Sequence, residues 1–337
     1  MCHSAQQSER FPDDSINLTR ITSRMRRSLI ALAGAVLGAC GKVPSVPIPD
    51  AAVWFIASPI LGDDTSIVDL KGGLVRLDTG TIRPVLVMRS RAQPLVTVAT
   101  FTTYQGAHYH PEMMRAVISD SAVIQPFARA VVTASMGAGK GLLLDAQEMS
   151  ASDFTKFLPF LRALASAARD RGRTPFGVIV PAGDTLAYPT TQIARAADVV
   201  VVRFGMEHRP GTPAGPPATQ DFVRRELGIR SNGLGASRLA AEFPLYGYLW
   251  KADGTARTVT YGEAGKMLLQ EAGAFHRDEA SRYLTATLRD GSEIWVPDAE
   301  TIRSLIAVAQ SRGVNTIALS GITGADPSLL PRAELRR

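Results

Sequence analysis

What most constrains the fold is a repeated alternation along the chain. Near-continuous apolar runs rich in β-branched residues fall at 52–57, 83–88, 95–101, 141–146, 176–181, 198–204, 239–246 and 316–319. A half-solvated strand would alternate apolar with polar; these runs do not, so they are expected as parallel strands buried on both faces. Helix-like stretches lie between most of them. The clearest opens at Ser150, with Asp153 three residues on as a capping box. It sets Phe154, Phe157, Leu158, Leu161, Leu164, Ala165 and Ala168 on one face. Pro159 inside it is expected to kink the helix or delay its regular start. Eight strand candidates with intervening helices predict an α/β fold of the (β/α)8, TIM-barrel type. A doubly wound open sheet is the alternative, because periodicity does not show closure.

The alternation breaks between the seventh and eighth runs. Residues 258–272 come first there, then 282–288 and 293–296, which flank the turn Asp290-Gly291, a hairpin signal.

Composition narrows the class. Of 337 residues, 45% are hydrophobic and 20% charged, the mix of a globular protein. The net charge of +6 is spread out, with no Lys/Arg block in the body of the chain. A nucleic-acid surface needs clustered charge, so no nucleic-acid partner is expected.

The N-terminus reads as a targeting segment. Arg20, Arg24, Arg26 and Arg27 precede an apolar run, 28–39, too short to span a bilayer. It ends in Leu37-Gly-Ala-Cys40-Gly41, which resembles the lipobox of bacterial lipoproteins. The resemblance implies a signal peptide at 1–39, cleavage before Cys40, a diacylglyceryl anchor on the Cys40 thiol and membrane attachment through it. Gly41 is not the aspartate that retains lipoproteins in the inner membrane, which implies the outer membrane of a bacterial envelope. A plain signal peptide with a chance cysteine is the other reading, and Met25 is an alternative start to Met1. Residues 40–51, with Pro44, Pro47 and Pro49, read as a stiff tether. Cys2 and Cys40 are the only cysteines, so the mature chain is expected to carry no disulfide.

Lys140-Gly-Leu-Leu-Leu-Asp145-Ala-Gln147-Glu148 reads as a buried strand bearing a carboxylate and an amide at its C-terminal tip. Catalytic groups of such barrels sit there. The run resembles the D-G-x-D-x-D-x-E signature of family 18 glycoside hydrolases (chitinase-like). Gly141 and Asp145 match it; Lys140 and Leu143 stand for its first two aspartates, and Gln147 stands for its catalytic glutamate. Phe243-Pro-Leu-Tyr246-Gly-Tyr-Leu-Trp250 resembles the family's P-x-Y-G strand, which leads into a small α+β insertion. Glu293-Ile-Trp295-Val-Pro-Asp298-Ala resembles the return from it. The resemblance therefore implies a barrel over 52–330 with an insertion at about 251–297, between strands 7 and 8.

It also implies chemistry. Hydrolysis in that family is substrate-assisted, an exception to the two-carboxylate scheme. The aspartate that orients the substrate's acetamide would be Asp145, and the position of the acid would be Gln147. A carboxamide cannot donate and recover a proton as a carboxylic acid does, and general acid catalysis contributes roughly 10²–10⁴-fold. Glu148 is a possible substitute. Strand alternation turns it towards the helices; a one-residue bulge would bring it back. Otherwise it is a surface carboxylate near a helix N-terminus. In the family's M-x-Y-D pattern the tyrosine would fall on Gly205 and its acidic neighbour on Met206; Ser320 stands where a tryptophan commonly floors the sugar.

Loops at the catalytic face carry Tyr104, His108, Tyr109 and His110, then Glu207, His208 and Arg209, then Tyr246 and Trp250. Aromatic faces with a few polar groups suit sugars, and Tyr104, Glu207, Tyr246 and Trp250 are the expected substrate-binding residues. His108-x-His110 with Glu112 lacks a further placed ligand, so no metal is assigned. Met136-Gly-Ala-Gly-Lys140-Gly141 precedes its strand and has Gly141 in the required Ser/Thr place, so it is no phosphate loop. No cofactor is expected. Three functions are in view: an envelope lipoprotein that binds glycan (chitooligosaccharide, peptidoglycan or exopolysaccharide) with weak or lost hydrolysis, a working glycosidase using Glu148 or Glu207, and a scaffold for envelope protein partners.

Overall fold

The computed structural model describes residues 52–56, 65–70, 73–78, 87–88, 98–105, 108–136, 141–321 and 324–329. The signal segment, Cys40, the tether and Lys140 lie outside them.

Strand β1 (Ala52–Ile56) is followed by a hairpin, β2 (Thr65–Leu70) and β3 (Gly73–Asp78), then by the short β4 (Val87–Met88) and by β5 (Val98–Thr102). A second small hairpin, β6 (Tyr104–Gln105) and β7 (His108–Tyr109), leads into α1 (Pro111–Ser119) and α2 (Ser121–Ala134). The chain then alternates: β8 (Gly141–Asp145), α3 (Phe154–Asp170), β9 (Phe176–Pro181), α4 (Thr190–Ile193), β10 (Val199–Arg203), α5 (Gln220–Ser231) and β11 (Leu239–Pro244).

Next come β12 (Tyr246–Trp250), β13 (Ala256–Thr260), α6 (Tyr261–Glu271), β14 (His276–Arg277), β15 (Leu284–Thr287) and β16 (Glu293–Val296). Helix α7 (Ala299–Ser311) and β17 (Thr316–Ser320) finish the described chain.

The main sheet has the order β4-β1-β17-β11-β10-β9-β8-β5. Every neighbouring pair from β1 to β5 is parallel. The result is an α/β fold with a curled parallel sheet of the TIM type. The run at 83–88, expected as a second parallel strand, behaves otherwise: Val87 and Met88 pair antiparallel with Trp54 and Val53. A parallel neighbour needs a crossover, usually a helix; between β1 and β4 the described elements are the two strands of a hairpin instead.

The second sheet, β13-β12-β16-β15-β14, is antiparallel throughout. The run expected as one strand over 239–246 is divided between the two sheets: β11 ends at Pro244 and β12 begins at Tyr246. Gly247 makes this possible, since a Cβ there would drive into the Trp295 carbonyl of β16. Residues 258–272 take in the end of β13 and then helix α6, which begins at Tyr261. Thr260 and Glu263 form a capping box there.

The expected helix after β8 is α3, and its first turn differs from the expectation. Asp153 accepts from the Ser150 amide (2.8 Å) and hydroxyl (2.7 Å), so this pair closes the preceding turn, and the helix starts at Phe154. Pro159 sits inside it.

Residue parity splits the main sheet. Leu142, Leu144, Val178, Val180, Val200, Val202, Ala241, Phe243, Ile317 and Leu319 join the helices in the large core. Leu143, Ile179, Val199, Val201, Ala240 and Ala318 form a separate small cluster on the opposite face. Gly177 belongs to that face, where a Cβ would come within 2.6 Å of Leu143 and 2.8 Å of Val199. Two residues further along the same parity lie Asp145, Arg203, Glu242 and Ser320. The alternation of strands thus delivers these polar side chains together, at the C-terminal edge of the sheet.

Candidate functional site

Asp145 is fully buried and meets four donors. Arg203 Nη1 donates to both its oxygens (3.0 Å to Oδ1, 2.8 Å to Oδ2), Gln147 Nε2 to Oδ1 (2.8 Å), and the Tyr109 and Thr102 hydroxyls to Oδ2 (3.1 and 3.3 Å). Arg203 Nε continues to both oxygens of Glu242 (2.9 and 3.0 Å), and Nη1 also donates to the Tyr109 hydroxyl. Ser320 supplies Glu242 with a further side-chain hydrogen bond. The centre is therefore a buried acid–guanidinium–acid cluster in which Arg203 is 8% exposed and Glu242 1%. Arg203 Nη2 is buried without a hydrogen-bond partner.

Burial opposes the charge of Arg203, yet Asp145 and Glu242 beside it hold the guanidinium protonated, well above its ordinary range. Burial also pushes the Glu242 carboxyl up, with Arg203 pulling the other way. The Tyr109 phenol is pushed well up by burial.

Gln147 is itself locked. Its Nε2 donates to Asp145 and to the Ile179 carbonyl (2.9 Å), so the amide is oriented with its donor group inward. The turn that carries it is clasped by Tyr188, whose hydroxyl donates to the Ala146 carbonyl (2.8 Å) and accepts from the Met149 amide (3.0 Å). Arg230 in turn holds the Tyr188 segment through the carbonyls of Tyr188, Pro181 and Asp184 and the Thr190 hydroxyl. Its burial lowers the guanidinium to about 10.

The other expected site residues divide. Asp145 and Gln147 do come together. Tyr104 is half-buried and packs edge-on against Tyr109, ring centroids 5.0 Å apart. Tyr246 is buried and packs edge-on against Tyr248, ring centroids 6.2 Å apart. Glu148 is exposed at φ +62° and outside the cluster, so the bulge that would return it to Asp145 is not formed.

Glu207, expected to bind substrate, is engaged within the chain. It accepts from the Thr219 amide (2.5 Å) and hydroxyl (3.0 Å), and Thr219 caps α5, so this carboxylate fastens a loop to a helix start. Trp250, also expected to bind substrate, is 4% exposed; its indole N–H donates to the Thr212 carbonyl (3.2 Å), and its ring packs edge-on against Tyr248 at 5.5 Å.

His110 pairs with Glu112 at 2.6 Å, and among the described residues no group of three His, Cys, Asp or Glu could hold a metal.

Arg203 and Glu242 were not among the expected site residues. Their signal is present: each is a lone charge inside an otherwise apolar strand, and a charge buried on such a strand must find a counter-ion.

No protein-family model matches the chain, and no curated protein matches it. Solved structures do. A chitinase from Chromobacterium violaceum superposes with a TM-score of 0.62 at 17% identity, over 83% of this chain and 89% of that one. A proposed sporulation-specific glycosylase from Bacillus subtilis gives 0.60 at 18% identity, over 66% and 80%. The spore cortex-lytic enzyme SleL of Bacillus megaterium gives 0.60 at 16%, over 69% of this chain and 58% of that one. At such identities the likeness is one of fold: the chain has a chitinase-like fold.

Proposed function

We propose that the chain is a family 18 glycoside-hydrolase-like envelope lipoprotein that binds an N-acetylglucosamine-type or related glycan, with hydrolysis weak or lost. The observation that carries this is the closed cluster. Every oxygen of Asp145 is engaged from within, Gln147 stands in the acid's place, and neither Glu148 nor Glu207 reaches Asp145. A retaining site needs a proton donor beside the scissile oxygen; here the groups around Asp145 are a guanidinium, an amide, a phenol and an alcohol. The neighbours' names, chitinase and cortex-lytic enzyme, support a glycan as ligand. In this reading the parallel sheet belongs to a (β/α)8 barrel over 52–330, β12 to β16 are the α+β insertion, 1–39 is a signal peptide, 40–51 a tether, and Cys40 the lipid anchor to the outer membrane.

Titrating the full chain in detergent with chitotetraose and with peptidoglycan fragments tests the reading; saturable binding to either supports it. A second reading, a scaffold for envelope protein partners, draws on the burial of Tyr246 and Trp250, which leaves little aromatic surface open. Absence of binding to both probes would favour the scaffold.

A further inference from the structure

The parallel register brings the starts of the strands to one edge of the main sheet. Leu142 pairs with Phe176, Gly177 with Val199, Val200 with Leu239, Ala240 with Thr316, and Thr316 with Ala52. Among the described residues, the segments entering these strands carry Arg169, Arg171, Arg195 and Arg312, all exposed, and the half-buried Arg238. Arg173 is turned inward, donating to the Ser135 carbonyl. The acids there are Asp170 and Asp198, and Asp198 is already held by Arg169 (3.6 Å) and by the Phe176 amide (2.8 Å). Arg129 of α2 joins the group: with Arg171 it lines a cleft of about 100 Å³ between α2 and α3, where Gln125 and Ser166 add donors and Asp170 is the acid. These arginines are scattered in the sequence, so the fold makes the patch. The opposite edge has the other sign. The loops that leave β8, β9 and β10 carry Glu148, Asp153, Asp184 and Glu207 against Arg209.

Strand β1 starts on the basic edge at Ala52, and residues 40–52 can span at most roughly 40 Å. Resting on the lipid-anchor reading, we infer that this arginine edge lies against the anionic phospholipid headgroups of the membrane that holds Cys40, and so turns the Asp145 edge of the sheet away from the lipid. Guanidinium forks pair with phosphate oxygens two bonds at a time. Each basic side chain near an anionic surface strengthens the contact about fivefold, and salt screens it.

The test reconstitutes the full chain into vesicles of phosphatidylcholine alone and of phosphatidylcholine mixed with phosphatidylglycerol. Flotation reports anchoring, and amide hydrogen exchange reports which edge meets the bilayer. The inference predicts that amides of 169–172, 194–198 and 311–315 exchange about fivefold or more slowly when phosphatidylglycerol is present. High salt should erase the difference, as should the combined variant Arg129→Glu, Arg171→Glu and Arg195→Glu, whose side chains are exposed. Equal exchange in the two vesicles, with the chain floating in both, overturns the inference and leaves the anchor standing. Slowing that survives high salt also overturns it. A chain that floats with neither vesicle overturns the lipid-anchor reading and the inference with it.

Discussion

Arg203 Nη1 lies 2.8 Å from Asp145 Oδ2 and 3.0 Å from Oδ1, which makes the carboxylate expected to face substrate an internal counter-ion. The cluster should therefore respond asymmetrically to mutation. Arg203→Met strands two buried carboxylates and is expected to cost about 3–5 kcal/mol. Asp145→Asn or Glu242→Gln leaves one acid with the guanidinium and should cost no more than about 1–2 kcal/mol. Urea unfolding of the three variants checks this ordering; equal losses would contradict it.

Glu242 gives the cluster a pH signature. Burial raises its folded-state carboxyl above the unfolded value, against the pull of Arg203. Its stabilising proton is thus fully bound below the unfolded value, about 4.3, and that contribution is lost as pH rises through the folded value. Glu242→Gln, which does not titrate, should gain stability relative to wild type between pH 4 and pH 8, as read by thermal unfolding across that range.

Gln147→Glu would face two acceptors, since its Nε2 now donates to Asp145 and to the Ile179 carbonyl. The neutral carboxyl is favoured there, so its folded-state pKa rises. Its cost should be smallest near pH 4 and grow at up to about 1.4 kcal/mol per pH unit as pH increases. A cost independent of pH would show that the amide is not oriented as described.

Much of this fold is legible in the sequence, because a strand buried on both faces leaves an apolar run with no competing periodicity. Residues 141–145, 176–181, 199–203, 239–244 and 316–320 all take parallel places. The antiparallel hairpin of β15 and β16 around Asp290-Gly291 is legible as well, because its turn chemistry is local. The run at 83–88 is not, since the direction of pairing depends on what lies between the strands. At the site, Asp145 and Gln147 are legible because they share one strand and its turn. The pairing of Arg203 with Glu242 joins residues 39 apart on neighbouring strands, where only register reveals it. Glu207 and Trp250 carry plausible sugar-binding side chains, but their partners, Thr219 and the Thr212 carbonyl, sit on the chain's own loop.

Two glycines on neighbouring elements should behave oppositely. A Cβ at Gly247 meets the Trp295 backbone, whereas at Gly265, inside α6, it meets nothing within 4 Å. Gly247→Ala is expected to destabilise by about 3 kcal/mol or more, and Gly265→Ala to stabilise by roughly 0.5–1 kcal/mol. Melting temperatures of the two variants decide the matter.

The most direct test of the central claim is turnover itself. The full chain, wild type and Gln147→Glu, would be held with fluorescently labelled chitotetraose at concentrations that saturate binding, and the products separated by chromatography. Bound but intact tetrasaccharide in both cases is predicted, because Arg203 keeps Asp145 occupied whatever stands at Gln147. Cleavage by the wild type, abolished by Glu148→Gln or Glu207→Gln, would contradict the account and identify the displaced acid.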